Sequence, residues 1–357
     1  MTDDKILIIG GYGNVGRVIA RQLASLFPGR VVVAGRNLAS AVEAAETIGD
    51  GAQARAIDIR SPEAATELEE IDLVVVCLDQ ENVGFAEQCL SRGIHYVDIS
   101  AHYTFLAKVE QLDELARSHG ATAILSVGVA PGLTNLLAAR VVELMDRVDR
   151  LDILVELGLG DSHGRAAIEW MLDNLDAEYE VPQNGELQTV RSFDESIELP
   201  LPTGSVQRAY RFNLSDQHVL ARTLGVPSVS TWVSFTSPLF TRLAARASTS
   251  PVAKWLRQPF LRRLAVRSLQ NVGVGSDRCA VAVRALGIGE DGDDTCIIGV
   301  TGHNEALMTG VVAAETARQL LTNTPAPGVY HSEQVIALDQ IVEALERELP
   351  GLEVDLG

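Results

Sequence analysis

Cysteine is scarce and scattered in this chain. Cys77, Cys89, Cys279 and Cys296 are the four thiols in 357 residues, and none stands in CxxC spacing. That pattern excludes a disulfide framework and offers no metal site, and it fits a cytoplasmic protein. Cys279 and Cys296 fall on neighbouring predicted strands, which is no ground for a disulfide. Basic residues are also scarce, with 29 Lys and Arg against 48 Asp and Glu, for a net charge of −19. Phosphate binding along a nucleic acid needs basic surface, so nucleic acid is excluded as a partner. No apolar run approaches the ~20 residues of a membrane span. The opening residues Met1 to Lys5 have neither a basic region nor an apolar stretch, so no signal peptide is expected. Repeats and low-complexity tracts are absent as well. What remains is an ordinary globular composition, 46% hydrophobic and 22% charged. The length exceeds one comfortable core and predicts two domains.

The most informative stretch is Lys5 to Gly16. A β-branched run, Ile6 to Ile9, ends in Gly11, Gly13 and Gly16 at GxGxxG spacing. An amphipathic helix follows, with Val15, Val18, Ile19, Leu23 and Leu26 as its apolar face. Strand, glycine turn and helix in this order read as a dinucleotide-binding fingerprint, against the plainer reading of a structural turn. Gly11 is assigned the tight turn, Gly13 the close approach to a pyrophosphate, and Gly16 the packing of helix on strand. Tyr12, Asn14 and Val15 lie in the same loop. The pyrophosphate is expected on the helix N-terminus, where free N–H groups and the dipole favour an anion.

The second strand, Arg30 to Gly35, ends without the acidic residue that holds a ribose 2′-hydroxyl in NAD sites. Arg36 stands there instead, a planar charged fork suited to a 2′-phosphate. NADP(H) is therefore expected over NAD(H); the bland alternative is a solvated arginine. Asp58, closing a third strand over 52–59, is a candidate acceptor for the adenine amino group, or an N-cap. A fourth strand, Ile71 to Leu78, is almost wholly apolar, as strands buried on both faces are. Cys77 and Leu78 at its end are expected beside the cofactor. Strands 94–100 and 121–127 alternate with helices, which indicates βαβ units.

After Gly128 to Asn135 the pattern changes. Segments 150–159, 187–199, 205–213, 229–236, 277–287 and 295–301 read as strands of a mixed sheet, and helical periodicity returns from His303. The fold class is thus α/β: a Rossmann-type parallel domain of residues 1–135 and 303–357, with a second α+β domain of 136–302 for substrate or dimerisation. Residues 238–270 hold seven basic and no acidic residues, interleaved with Phe, Trp and Leu. Three readings stay open for them: a cap over the active site, an ordinary solvated or oligomer-facing helix pair, or a membrane-surface element.

These motifs together resemble the saccharopine dehydrogenase-like family. The resemblance rests on Gly10 to Gly16, Ala34 to Arg36, Asp58, Tyr96 to Ser100, Gly128 to Asn135 and Gly328 to Glu333. It implies hydride transfer between NAD(P)H and a C=N bond, or the reverse on an amine, with an amino acid or amine as small-molecule substrate. A homodimer is expected. One departure is Cys77 to Gln80, where the family often has an Asn/Cys-Ala-Gly-Pro stretch. The proton donor must titrate usefully near the nicotinamide. His163 and Asp98 are the catalytic candidates, and Ser100 and Asn135 the substrate-binding ones. Each has a plain alternative: a loop histidine satisfied by backbone, or a cap. A protein that binds NADP without turnover, as a trans-acting partner, is the second functional class.

Overall fold

The computed structural model describes residues 4–161, 165–201, 204–250, 255–256, 258–270, 275–289 and 292–357. Strand β1 (Lys5–Ile9) leads through the glycine turn into helix α1 (Asn14–Leu26). There follow β2 (Val31–Gly35), β3 (Gln53–Ala56), β4 (Ile71–Val76), β5 (His95–Asp98) and β6 (Thr122–Leu125). The middle of the chain builds β7 (Arg147–Leu157), β8 (Glu178–Gln183), β9 (Glu186–Arg191), β10 (Ser196–Pro200), β11 (Val206–Arg211), β12 (Val229–Phe235), β13 (Arg278–Gly289) and β14 (Gly292–His303). Last come β15 (Gly328–His331) and β16 (Glu353–Asp355).

Two compact units result, one of Met1–Gly132 with Thr309–Leu345, the other of Leu133–Met308 with Glu346–Gly357. The first unit holds a seven-stranded sheet in the order β15-β6-β5-β4-β1-β2-β3. Every pairing in it is parallel. From β3 to β6 the order is 3-2-1-4-5-6, that of doubly wound dinucleotide-binding sheets, with its reversal at β1 and β4. The central strands are Val, Ile and Leu because helices cover both faces: β2 is buried throughout, and β4 at every position but Asp72. α1 buries Gly16, Ile19, Ala20, Leu23 and Ala24. Leu26, read from the sequence as part of that face, is 46% exposed because the helix ends there.

The second unit carries a mixed sheet in the order β10-β11-β12-β7-β13-β14-β16. Only β12 and β7 run parallel. The register settles the two cysteines. Cys279 pairs opposite Gly302 and Cys296 opposite Ala285, so they stand well apart along the ladder. The buried acids on β7 are paired. Asp152 accepts from Arg150 (2.9 Å), Arg284 (2.7 Å) and the Trp232 indole (3.0 Å), and Glu156 accepts from Arg278 (2.5 Å).

Several elements differ from the sequence reading. The segment 187–199 is two strands, because Phe193 adopts φ +62° and the Arg191 N–H donates to the Asp194 carboxylate (3.0 Å). Helix Ser215–Thr223 has no apolar stripe at its start; it buries Ser215, Asp216 and Gln217 instead, which hid it. The last residues, expected with the Rossmann unit, add β16 to the second sheet, antiparallel to β14.

β15 is short and at an edge; the Asp113 carboxylate accepts its Val329 N–H (2.9 Å), and the His331 side chain ties it to its neighbours. His331 is buried, with Nδ1 2.8 Å from the Ser126 hydroxyl and Nε2 2.7 Å from the Glu110 carboxylate. In the neutral tautomer the ring accepts from Ser126 and donates to Glu110. Replacing His331 with Ala leaves a void and takes this partner from the Ser126 hydroxyl and the Glu110 carboxylate. The expected cost is roughly 2–4 kcal/mol of unfolding free energy, measured by denaturant titration.

Candidate functional site

The glycine turn is built by close approach. Gly10, at φ +78°, occupies the left-handed region, and a Cβ there would stand 3.0 Å from the Cys77 carbonyl oxygen. The sequence reading gave this turn to Gly11 and overlooked Gly10; the Gly-Gly doublet was the available signal. A Cβ at Gly16 would lie 2.3 Å from the Gly10 carbonyl oxygen, so only glycine lets α1 start this near β1. The N-cap of α1 is Gly13, with no side-chain cap and no acidic residue in the first turn. Gly13 and Asn14 are exposed and Val15 half-buried. An uncapped, acid-free helix start carries partial positive charge and suits a pyrophosphate.

Tyr12 ties this turn to β2. Its ring lies where a Cβ of Gly35 would be, 2.5 Å from that position, and its hydroxyl accepts from the Asn37 N–H (3.4 Å). The next residue, Arg36, is exposed, and among the described residues no hydrogen bond or ion pair engages its guanidinium. β3 runs beside β2, pairing Ala56 with Gly35, which brings Asp58 to the same corner. Asp58 accepts from the Arg60 side chain at 3.0 and 2.8 Å and from its backbone N–H at 3.1 Å. Those bonds, with Arg36 nearby, lower its carboxyl to about 2. The carboxylate proposed for adenine thus already holds Arg60. The corner has two guanidinium groups and one neutralised acid, a chemistry that fits a 2′-phosphate.

The strand ends of β4 and β5 form the other half. Cys77 and Leu78 are half-buried there, and burial pushes the Cys77 thiol up, with Asp98 adding to it. Asp98 is wholly buried. It accepts from the Tyr96 hydroxyl (2.5 Å), the Gln80 amide (2.8 Å) and the Ser100 N–H (2.7 Å). Burial raises its carboxyl to about 7, with Asp79 pushing the same way and these hydrogen bonds pulling against it. Ser100 is buried, and its hydroxyl accepts from the His102 N–H (3.3 Å), which shapes the entry to helix Tyr103–Glu110. Nearer solvent, His102 Nε2 lies 3.7 Å from Asp79. This pair joins β4 to the helix after β5, a proximity the sequence positions 79 and 102 do not reveal.

The other candidates lie elsewhere. His163 falls outside the described residues. Asn135 is buried in the first turn of helix Thr134–Glu143, whose N-cap is Leu133, so its N-cap alternative does not hold. His95 accepts the Thr122 N–H on Nδ1 (3.0 Å) and links β5 to β6. His303 pairs with Asp277 at 2.8 Å on the surface.

Asp98 gives a pH test. Its folded-state value lies above the unfolded one, so the folded protein holds the proton more tightly. Its contribution to stability is complete below about pH 4 and is lost as pH rises through about 7. Asp98→Asn removes that titration. The parent should lose more stability than the variant between about pH 4 and pH 7 in denaturant titrations.

Residues 6–124 match the family described as saccharopine dehydrogenase NADP binding domain. Carboxynorspermidine synthase of Vibrio cholerae is 24% identical over 260 residues, which cover 63% of this chain and 61% of that protein. The match thus spans less than two thirds of that relative's length. Apo saccharopine dehydrogenase (L-Glu forming) of Saccharomyces cerevisiae superposes with a TM-score of 0.69 at 14% identity, covering 99% of this chain and 100% of that one, a likeness of fold. The glycine turn, the open helix start and the Arg36 corner all lie within the matched residues and fit NADP(H). Residues 6–124, within the first unit, match that NADP-binding domain, and the chain shares its fold with saccharopine dehydrogenase.

Proposed function

We propose that the chain is an NADP(H)-dependent oxidoreductase acting on the C=N or CH–NH bond of an amino-acid or polyamine-type substrate. The observation that carries the reading is the arginine corner beside an uncapped helix start, on a sheet of dinucleotide-binding order. The relative named for carboxynorspermidine synthesis supports the substrate class. When bound, the reduced cofactor supplies a hydride.

The protein's own residues bind, orient and move a proton. The first turn of α1 binds the pyrophosphate, and Arg36 forms a fork to the 2′-phosphate. Arg60, held by Asp58, adds positive charge at that corner. The Gln80–Tyr96–Asp98 cluster fixes the ends of β4 and β5, where the ligand of a parallel sheet lies. The Gln80 amide N–H, the Tyr96 hydroxyl and the Asp98 carboxylate bond one another, which suits a positioning role, while the Gln80 Oε1 is buried without a partner among the described residues. The half-exposed His102–Asp79 pair is placed to give or take the proton at the substrate nitrogen. His163 is retained as a second proposed donor.

Arg36→Ala should cost roughly 1.5–3 kcal/mol of NADPH affinity, the scale of a lost charge-assisted hydrogen bond, and leave NADH nearly unchanged. Fluorescence titration of both cofactors measures it, and equal loss for the two would refute the 2′-phosphate assignment. Turnover is checked by following NADPH oxidation with amines paired with 2-oxo acids or aldehydes. His102→Ala should then lower kcat with NADPH affinity intact. Tight NADPH binding without turnover, together with a stably co-purifying enzyme, would favour the trans-acting partner instead.

A further inference from the structure

Half of the large apolar side chains that stand exposed among the described residues lie between Leu239 and Leu264. Scattered exposed leucines are ordinary, but a concentration of this kind marks an interaction surface. It coincides with the one segment, residues 238–270, where a chain of net charge −19 has seven basic residues and no acid.

The two helices here have their polarity reversed. Pro238–Ser248 begins at a regular cap, with Ser237 accepting from the Phe240 N–H (3.3 Å), and buries only small residues on its inner stripe: Thr241, Ala245 and Ser248. Thr241 takes the Phe235 N–H (3.0 Å), which seats that stripe on β12. Pro259–Gln270 is seated by Val266 and by Arg262, which is bonded to Asp173 (2.7 Å) and to the Glu169 carbonyl (3.2 Å) of helix Arg165–Asp173. The large side chains point the other way. Leu239, Arg242, Leu243 and Arg246 are all exposed at spacing i, i+3, i+4, i+7. Phe260, Arg263, Leu264 and Arg267 repeat the same order at the same spacing, and all are exposed. Phe260 is 77% exposed and Leu239 67%. Such spacing aligns each set on one helix face.

We propose that these two stripes form a peripheral docking face for an anionic lipid surface. Alternating guanidinium and large apolar groups suit that boundary, with rings and leucines entering among acyl chains and arginines remaining at the headgroups. Charge complementarity selects this occupant over a second copy of the chain. A two-fold contact would place each arginine stripe against its like, and that repulsion opposes pairing. The remainder of the chain carries a net negative charge and is repelled by an anionic membrane, which favours approach by this face. Among the described residues no helix is long and apolar enough to cross a membrane.

The test is vesicle flotation of the full chain. With phosphatidylcholine vesicles containing phosphatidylserine the protein should float at low salt and be released at high salt; with phosphatidylcholine alone, binding should be at least about tenfold weaker. F260E/L264E should abolish flotation while NADPH binding is retained. R242Q/R263Q, which alters only exposed charges, should weaken binding to the anionic vesicles and reduce its salt dependence. No flotation with the anionic vesicles overturns the proposal. So does flotation that R242Q/R263Q leaves unchanged. A dimer in light scattering that F260E/L264E dissociates, without vesicle binding by the parent, assigns the face to a second copy and equally overturns it.

Discussion

The backbone of α1 must start against the end of β1 with no side chain between them. A Cβ at Gly16 would stand 2.3 Å from the Gly10 carbonyl oxygen, and this one approach sets what surrounds it. It aims the N-terminus of α1 at the carboxyl edge of the sheet. It draws Gly10 over the end of β4 at Cys77, and it lets Tyr12 lie across Gly35. Arg36 follows directly after Gly35. A methyl group at position 16 would push the helix outward and disturb the glycine turn and the proposed pyrophosphate site together.

Buried polar clusters hold the remaining strand ends. Tyr96, Asp98 and Gln80 share one network across β4 and β5, and Ser126, His331 and Glu110 share another across β6 and β15. Each group would be costly to bury alone, and its neighbours offset that cost, with only the Gln80 Oε1 of these two networks left buried without a partner among the described residues. In the first network burial raises the Asp98 carboxyl to about 7.

The second unit applies the same rule differently. Asp152 and Glu156 are wholly buried on β7, and arginines from β13 neutralise them within the sheet. Arg211, also buried, sits 4.6 Å over the Trp232 ring and bonds Ser230. Arginines thus serve the interior here, whereas Arg242, Arg246, Arg263 and Arg267 of the two reversed helices face outward with leucines. That contrast separates structural from interfacial use of one residue type.

The sequence by itself determined the parallel sheet, the glycine fingerprint and the absence of an acid after β2. Periodicity, apolar runs and glycine spacing are local signals, and each is imposed by backbone geometry that neighbours in the chain share. It also exposed the basic segment, a matter of composition. Only the tertiary structure decided that Gly10 carries the positive φ, since the reason is the carbonyl of Cys77 on another strand. Asp58 reads as an adenine acceptor until Arg60 is seen folded back upon it. Asp98 reads as a catalytic candidate or a cap, and only the structure shows Tyr96 and Gln80 bonded to it. The pairing of His102 with Asp79, the pin at His331 and the outward turn of Leu243 and Leu264 likewise follow from which surfaces meet across the fold. Burial and partnership are properties of those meetings, and no stretch of sequence contains both sides of one.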